Sequence, residues 1–204
     1  MLPASAYPPP TTRVTPKEYL AFERASEAAH EYVDGVVGEE RCSSRVHGLV
    51  ATATMVVLHQ GLHGSDAEVF PGGLRIRIPG EPNYLYSDAV AVDGRAETED
   101  EHDDSLLNPA IVVEVLWPST EGYDRGRKWQ LYREIPSLNH LVLVSTSRPH
   151  VEWYTRFDER RWLFREAEGL NAVIELERPR CTIPLADVYD RVADLLGPGL
   201  TEAR

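Results

Sequence analysis

The run Ala110-Ile111-Val112-Val113-Glu114-Val115-Leu116 is apolar and rich in β-branched residues at every position except one carboxylate. Such a run reads as a β-strand buried on both faces, so the chain must build a sheet covered on both sides. Its 204 residues, 42% of them hydrophobic, are enough to supply that cover. The carboxylate is the second constraint. An ionised group without partners in that setting is so costly that it would neutralise, pair with a cation or bind a metal. Glu114 therefore needs a partner.

The preceding strand-like run, Tyr84 to Val92, also holds one acid, Asp88, among apolar and small residues. Two neighbouring strands with one interior acid each can bring those acids together. Juxtaposed carboxylates repel, which raises one pKa unless a hard divalent cation such as Mg²⁺ sits between them. The segment Pro118 to Arg133 adds the cations Arg125, Arg127, Lys128 and Arg133. Asp124 and Lys128 are four apart on one helix face, and Leu131, Tyr132 and Ile135 continue that face toward the core, so Lys128 is aimed inward. A lysine beside two metal-bound carboxylates can orient a water and offset the charge that develops on a phosphate oxygen during hydrolysis. Acid, acid, metal and lysine are the parts of a phosphodiesterase site. The plainer alternatives are a strand-end cap for Asp88 and a buried ion pair with Lys128 for Glu114.

The rest of the chain reads as alternating short elements. Thr15-Pro16-Lys17-Glu18 is a capping box that opens a short helix. Asp34-Gly35 between Glu31-Tyr32-Val33 and Val36-Val37 predicts a β-hairpin. Ser43 or Ser44 caps a second helix, whose Val46, Leu49, Val50, Ala53 and Val57 form one stripe up to Gly61. Strands are predicted over Leu74 to Ile78, Tyr84 to Val92, Ala110 to Leu116, His140 to Ser145, His150 to Arg156, Arg161 to Arg165 and Ala172 to Leu176. Helices are predicted over Gly122 to Ile135 and Leu185 to Val192. The order predicts a mixed α+β fold with a central mixed sheet, flanking helices and a β-rich C-terminal part. A Pro-rich tail over 1–14, one domain over 15–193 and a tail over 194–204 complete the division. Cys42 and Cys181 share no metal or disulfide spacing, and no apolar run is long enough to span a bilayer, so a cytoplasmic protein is expected.

The formal charge of −12 excludes a protein that grips nucleic acid through a broad basic surface. Residues 93–104 hold seven acids against Arg95 alone, a net of −6 and half of the excess. That stretch reads as a solvated loop between the two acid-bearing strands, or as a gate that repels substrate. His47 is read as a hydrogen-bonded histidine, and His59 with His63 as a helix-end pair lacking a third ligand. Trp129, Trp153 and Trp162 are read as packing aromatics, while Trp117, directly after the Glu114 strand, can line a cleft.

His30-Glu31-Tyr32-Val33-Asp34-Gly35, Ser87-Asp88-Ala89-Val90, Glu114-Val115-Leu116-Trp117-Pro118-Ser119-Thr120, Tyr123-Asp124-Arg125-Gly126-Arg127-Lys128 and Leu131 to Leu138 occur in that order. Together they resemble the Uma-type restriction endonuclease family within the PD-(D/E)XK nuclease superfamily, over roughly Thr15 to Val192. The resemblance implies a restriction-endonuclease-like fold in which Asp88 and Glu114 bind Mg²⁺ or Mn²⁺. The backbone carbonyl of Val115 would be a further ligand, and Glu31 would complete the acidic cluster. The superfamily's lysine two residues after the Glu is Leu116 here, so its role passes to Lys128. The activity implied is endonucleolytic hydrolysis of DNA, with Arg125 and Arg127 on the basic helix that faces the phosphate, and a homodimer is expected. The alternative is a catalytically silent nuclease-like fold that serves as a binding or assembly module.

Overall fold

The computed structural model describes residues 13–40, 44–80, 82–192 and 195–196. The expectations for the Pro-rich stretch 1–12, for Cys42 and Ser43, and for residues 197–204 lie outside the described residues. Helix α1 (Pro16–Glu23) begins at the predicted capping box, with Thr15 Oγ1 accepting from the Glu18 N–H and Glu18 accepting from the Thr15 N–H. Strands β1 (His30–Val33) and β2 (Val36–Glu39) form the predicted hairpin. Its turn residues, Asp34 at φ 52° and Gly35 at φ 84°, take the positive φ values that make Asp-Gly the favoured pair there. Helix α2 (Arg45–Gly61) starts at Ser44, whose hydroxyl accepts from the His47 N–H.

The remaining strands are β3 (Glu68–Pro71), β4 (Arg75–Ile78), β5 (Asn83–Leu85), β6 (Ala89–Val92), β7 (Ser105–Leu106), β8 (Ile111–Leu116), β9 (His140–Ser145), β10 (His150–Arg156), β11 (Trp162–Glu168), β12 (Val173–Glu177) and β13 (Arg180–Pro184). Two short helices, α3 (Glu121–Tyr123) and α4 (Trp129–Tyr132), are joined without a break by a π-helical turn over Asp124–Lys128, and α5 is Leu185–Tyr189. The sheets are ordered β2-β1-β5-β4-β7, β11-β10-β9-β8-β6-β3 and β12-β13. In the six-stranded sheet β8 and β9 run parallel and the other pairs antiparallel, so it is the mixed sheet expected.

Strand β8 is buried along its whole length, and alternation along it explains why. Val113 and Val115 pack into a core with α2, α5 and the β12–β13 hairpin, whereas Val112 and Leu116 face Ile76 and Leu85 of the five-stranded sheet together with Leu131, Tyr132 and Ile135. Glu114 shares the parity of Val112 and Leu116 and so points between the two larger sheets.

Three sequence readings need correction. Tyr84 to Val92 is not one strand: β5 belongs to the five-stranded sheet and β6 to the six-stranded one, with Tyr86-Ser87-Asp88 crossing between them. Apolar residues suit either sheet, so composition does not mark where the chain changes partners. Strands β3, β7 and β13 are not marked by the sequence pattern; β3 is four residues long and ends in a proline, β7 is two residues long and β13 is interrupted by polar residues. The acidic stretch 93–104 is more than a solvated loop. Asp100 and Asp104 bind Arg24 at 2.7 and 2.8 Å, Arg75 also binds Asp104, and Glu99 binds Arg77 at 2.8 Å and the Tyr84 hydroxyl. These contacts clamp it along the five-stranded sheet, and the Arg24 hydrogen bond holds the Asp104 carboxyl well below the usual carboxylate range.

Gly61 ends α2 where it meets β13, and a Cβ there would lie 2.5 Å from Cys181 Sγ and 3.2 Å from the Thr182 carbonyl oxygen. Gly61→Ala is expected to destabilise the fold by about 1–3 kcal/mol, read as a lower urea midpoint. His140, 1% exposed, accepts the Arg178 N–H at Nε2, which leaves its proton on Nδ1 facing Thr155 Oγ1. Burial, helped by Arg165 and Arg178, lowers its pKa from 6.5 to about 4. The folded state binds this proton less readily than the unfolded chain. Its contribution, about 3 kcal/mol, is therefore complete above pH 6.5 and lost as pH falls from 6.5 toward 4. Urea midpoints measured across that window should decline, and the decline should be shallower in His140→Gln.

Candidate active site

The site forms where β6 and β8 leave the six-stranded sheet beside the hairpin and the π-helical turn. Ala89 lies opposite Val113, and one step further the Asp88 N–H donates to the Val113 carbonyl at 3.0 Å. The Asp88 side chain then accepts the Val115 N–H at Oδ2, 2.7 Å away. Strand register thus puts Asp88 and Glu114 side by side, as the sequence suggested. Asp88 also performs the strand-end capping that was its plainer reading. Glu114 is 4% exposed; Oε1 accepts from the Tyr132 hydroxyl at 2.7 Å and from Lys128 Nζ at 3.2 Å.

Lys128, 3% exposed, points inward as its spacing predicted. Its ammonium donates to the Tyr86 carbonyl at 2.9 Å, lies 2.9 Å from Glu31 Oε1 and 3.9 Å from Asp124 Oδ1. The π-helical turn is the local device that brings Asp124 and Lys128, both buried, to the same wall. Glu31, on β1, accepts from the Tyr86 N–H at 3.2 Å and from the Tyr123 hydroxyl at 3.0 Å. His47, in the first turn of α2, places Nε2 3.3 Å from Asp88 Oδ1, and its buried Nδ1 has no hydrogen-bond partner among the described residues. The contact with Asp88 raises the His47 pKa against the opposing effect of burial.

These groups line a cleft of about 340 Å³ bounded by Val33 and Val36 of the hairpin, by Trp117 and by the π-helical turn. Trp117 therefore stands where the sequence allowed it to stand. Past His47 and Asp88 a second groove continues along Gly48, Ala51 and the Pro71–Gly73 turn. Among the described residues of 93–104 none lines the cleft, so the acidic stretch is a clamp rather than a gate at this opening.

Six carboxyl groups, Glu31, Glu39, Glu40, Asp88, Glu114 and Asp124, share the cleft wall with one ammonium among the described residues. Burial pushes Glu114 well above the ordinary carboxylate range, and Asp124 and Asp88 add to it; burial likewise raises Asp124. Burial alone would favour neutral Lys128, but Glu114 and Glu31 outweigh it and hold the side chain charged. The donors facing the opening are hard oxygens in negative excess, which fits Mg²⁺ or Mn²⁺. Among the described residues no three His, Cys, Asp or Glu side chains form a ready cage. That also suits Mg²⁺, which is commonly held by one or two carboxylates with waters and substrate phosphate completing its shell.

Arg125 and Arg127 do not line the cleft. Arg125 binds Glu152 at 2.9 Å and Glu121 at 3.0 Å, and Arg127 grips both oxygens of Asp34 at 2.6–2.7 Å. Sequence pattern does not mark Tyr123 or the Tyr86 backbone, and it marks Tyr132 only as a core residue. The four-residue spacing of Tyr132 from Lys128 was the available signal for its hydroxyl.

Residues 16–182 match the model of a family, Uma2, whose description is "Putative restriction endonuclease". Two proteins of Synechocystis sp. (strain ATCC 27184 / PCC 6803 / Kazusa) are similar in sequence. "Uncharacterized protein slr1290" is 34% identical, with 76% of this chain and 80% of that protein covered. "Uncharacterized protein sll1609" is 28% identical, with 81% of this chain and 94% of that protein covered. A crystal structure described as a "putative nuclease belonging to DUF820" from Anabaena variabilis ATCC 29413 superposes with a TM-score of 0.70 at 15% identity, covering 87% of this chain and 98% of that one. The chain belongs to the Uma2 family and carries a restriction-endonuclease-like fold.

Proposed function

We propose that the protein is a metal-dependent endonuclease that hydrolyses DNA phosphodiester bonds by a metal-activated water. The observation that carries this reading is the pairing of Asp88 with Glu114 at the mouth of adjacent strands, with a buried, charged lysine against Glu114. Asp88, Glu114 and the Val115 carbonyl would hold Mg²⁺ or Mn²⁺. When bound, the ion supplies Lewis acidity and a water of lowered pKa. Lys128 contributes the fixed positive charge that offsets charge developing on the phosphate, and its buried setting strengthens that interaction. His47 holds Asp88 in place from the opposite side. Arg125 and Arg127 would reach phosphates outside the cleft by exchanging their present carboxylate partners for the DNA backbone. A homodimer is part of this proposal, with β11 at the outer edge of the six-stranded sheet as the pairing strand.

One observation favours the second reading, a catalytically silent binding or assembly module: Lys128 already closes an ion-pair network with Glu31 and Glu114. In such a network the ammonium already compensates part of the buried negative charge without any further cation.

Plasmid DNA incubated with the protein and Mg²⁺ or Mn²⁺ is expected to be cleaved. Asp88→Ala and Glu114→Ala should each reduce the rate by at least about a hundredfold. Cleavage that persists in both variants removes the assignment. Calorimetric titration with Mn²⁺ separates the two readings. The endonuclease binds the ion and Glu114→Ala abolishes binding, whereas a module shows no binding or binding indifferent to the substitution.

A further inference from the structure

We propose that Glu31 is a positioning residue for Lys128 and not a metal ligand. The role assigned to Lys128 rests on the metal-site reading above; the contact between the two side chains does not. Both oxygens of Glu31 are committed to the protein. Oε1 accepts the Tyr86 N–H at 3.2 Å and meets the Lys128 ammonium at 2.9 Å, and Oε2 accepts the Tyr123 hydroxyl at 3.0 Å. The Tyr86 N–H is a backbone donor that cannot turn away. Drawing Glu31 toward a cation would leave that donor buried and unpaired, a costly state. Asp88 differs: Oδ2 is engaged by Val115, while Oδ1 meets His47 at 3.3 Å and, among the described residues, no other donor.

Three acceptors surround the three protons of Lys128: Glu31, the Tyr86 carbonyl and Glu114. Glu31 and Tyr86 together form the fixed side of this cradle, because Tyr86 supplies the carbonyl to the lysine and the N–H to the glutamate. Glu114 is the exchangeable side, at the longest of the three distances. Were Glu114 to give its oxygens to a cation, Glu31 and the Tyr86 carbonyl would still hold the ammonium in place. Without the charge on Glu31, the ammonium would be drawn to Glu114, in competition with the metal, or would leave its pocket.

The chain has two lysines, Lys17 and Lys128, which makes a metal-free test simple. Reductive methylation of the full-length protein, read by peptide mass spectrometry with exposed Lys17 as the internal reference, should find Lys128 protected in the wild type. Lys128 should react about tenfold faster in Glu31→Gln. Glu31→Asp, which keeps the charge on a shorter arm, should fall between the two and serves as the deciding variant if Glu31→Gln does not fold. In parallel, the Mn²⁺ Kd of Glu31→Gln should stay within about threefold of wild type, while Glu114→Gln weakens it by about 10–100-fold. Unchanged protection of Lys128 in the folded variant overturns the positioning role. Loss of Mn²⁺ binding in Glu31→Gln equal to that in Glu114→Gln overturns it as well, by making Glu31 a ligand. A wild type that binds no Mn²⁺ refutes the metal-site reading, and the labelling rates then decide the Glu31–Lys128 contact alone.

Discussion

A single buried ammonium ties this structure together. Lys128 joins the hairpin through Glu31, the six-stranded sheet through Glu114 and the crossover between sheets through the Tyr86 carbonyl. Hydrophobic burial brings these elements near one another, but it is not directional. The ion pairs and hydrogen bonds give the meeting point a definite geometry, because a buried charge tolerates few arrangements. Removing any one partner would leave the ammonium short of an acceptor in a region where water is scarce.

The two cores serve this arrangement in different ways. The helix-covered side of the six-stranded sheet, with Leu58, Val113, Val142 and Ile174, is a conventional apolar layer. The side between the two large sheets is apolar through Ile76, Val112, Leu131 and Leu143, and then becomes polar at its rim where Glu114 appears. The cleft is the place where that inter-sheet layer ends. Tyr132 marks the transition, with its ring in the core and its hydroxyl on Glu114.

Much of this was legible in the chain. The apolar run around Glu114, the Asp-Gly turn, the capping box at Thr15 and the stripe ending at Gly61 each encode their structure locally, through period, turn chemistry or an interrupting charge. The inward face of Lys128 was readable because Leu131, Tyr132 and Ile135 lie on it. What escaped was set by partners distant in sequence. The change of sheet at Tyr86–Asp88 depends on which strands accept β5 and β6. The π-helical turn depends on pulling Asp124 and Lys128 to one wall. Arg125 and Arg127 read as free cations until Glu152 and Asp34, each far away along the chain, occupied them. The acidic stretch looked solvated for the same reason, since its arginine partners lie elsewhere.

The crossover from β5 to β6 is only Tyr86, Ser87 and Asp88, too short to stretch or fold back. One end of it carries the peptide groups that serve Glu31 and Lys128, and the other end carries Asp88 itself. The two halves of the cleft are therefore tethered by about 10 Å of backbone rather than by side-chain packing alone. A rotation of one sheet against the other would change the spacing of the carboxylates and the position of the ammonium in the same movement. The molecule is built here like a pair of jaws sharing one pin, so a substitution far inside the inter-sheet core that rotated one sheet would alter the aperture without touching any group that lines it.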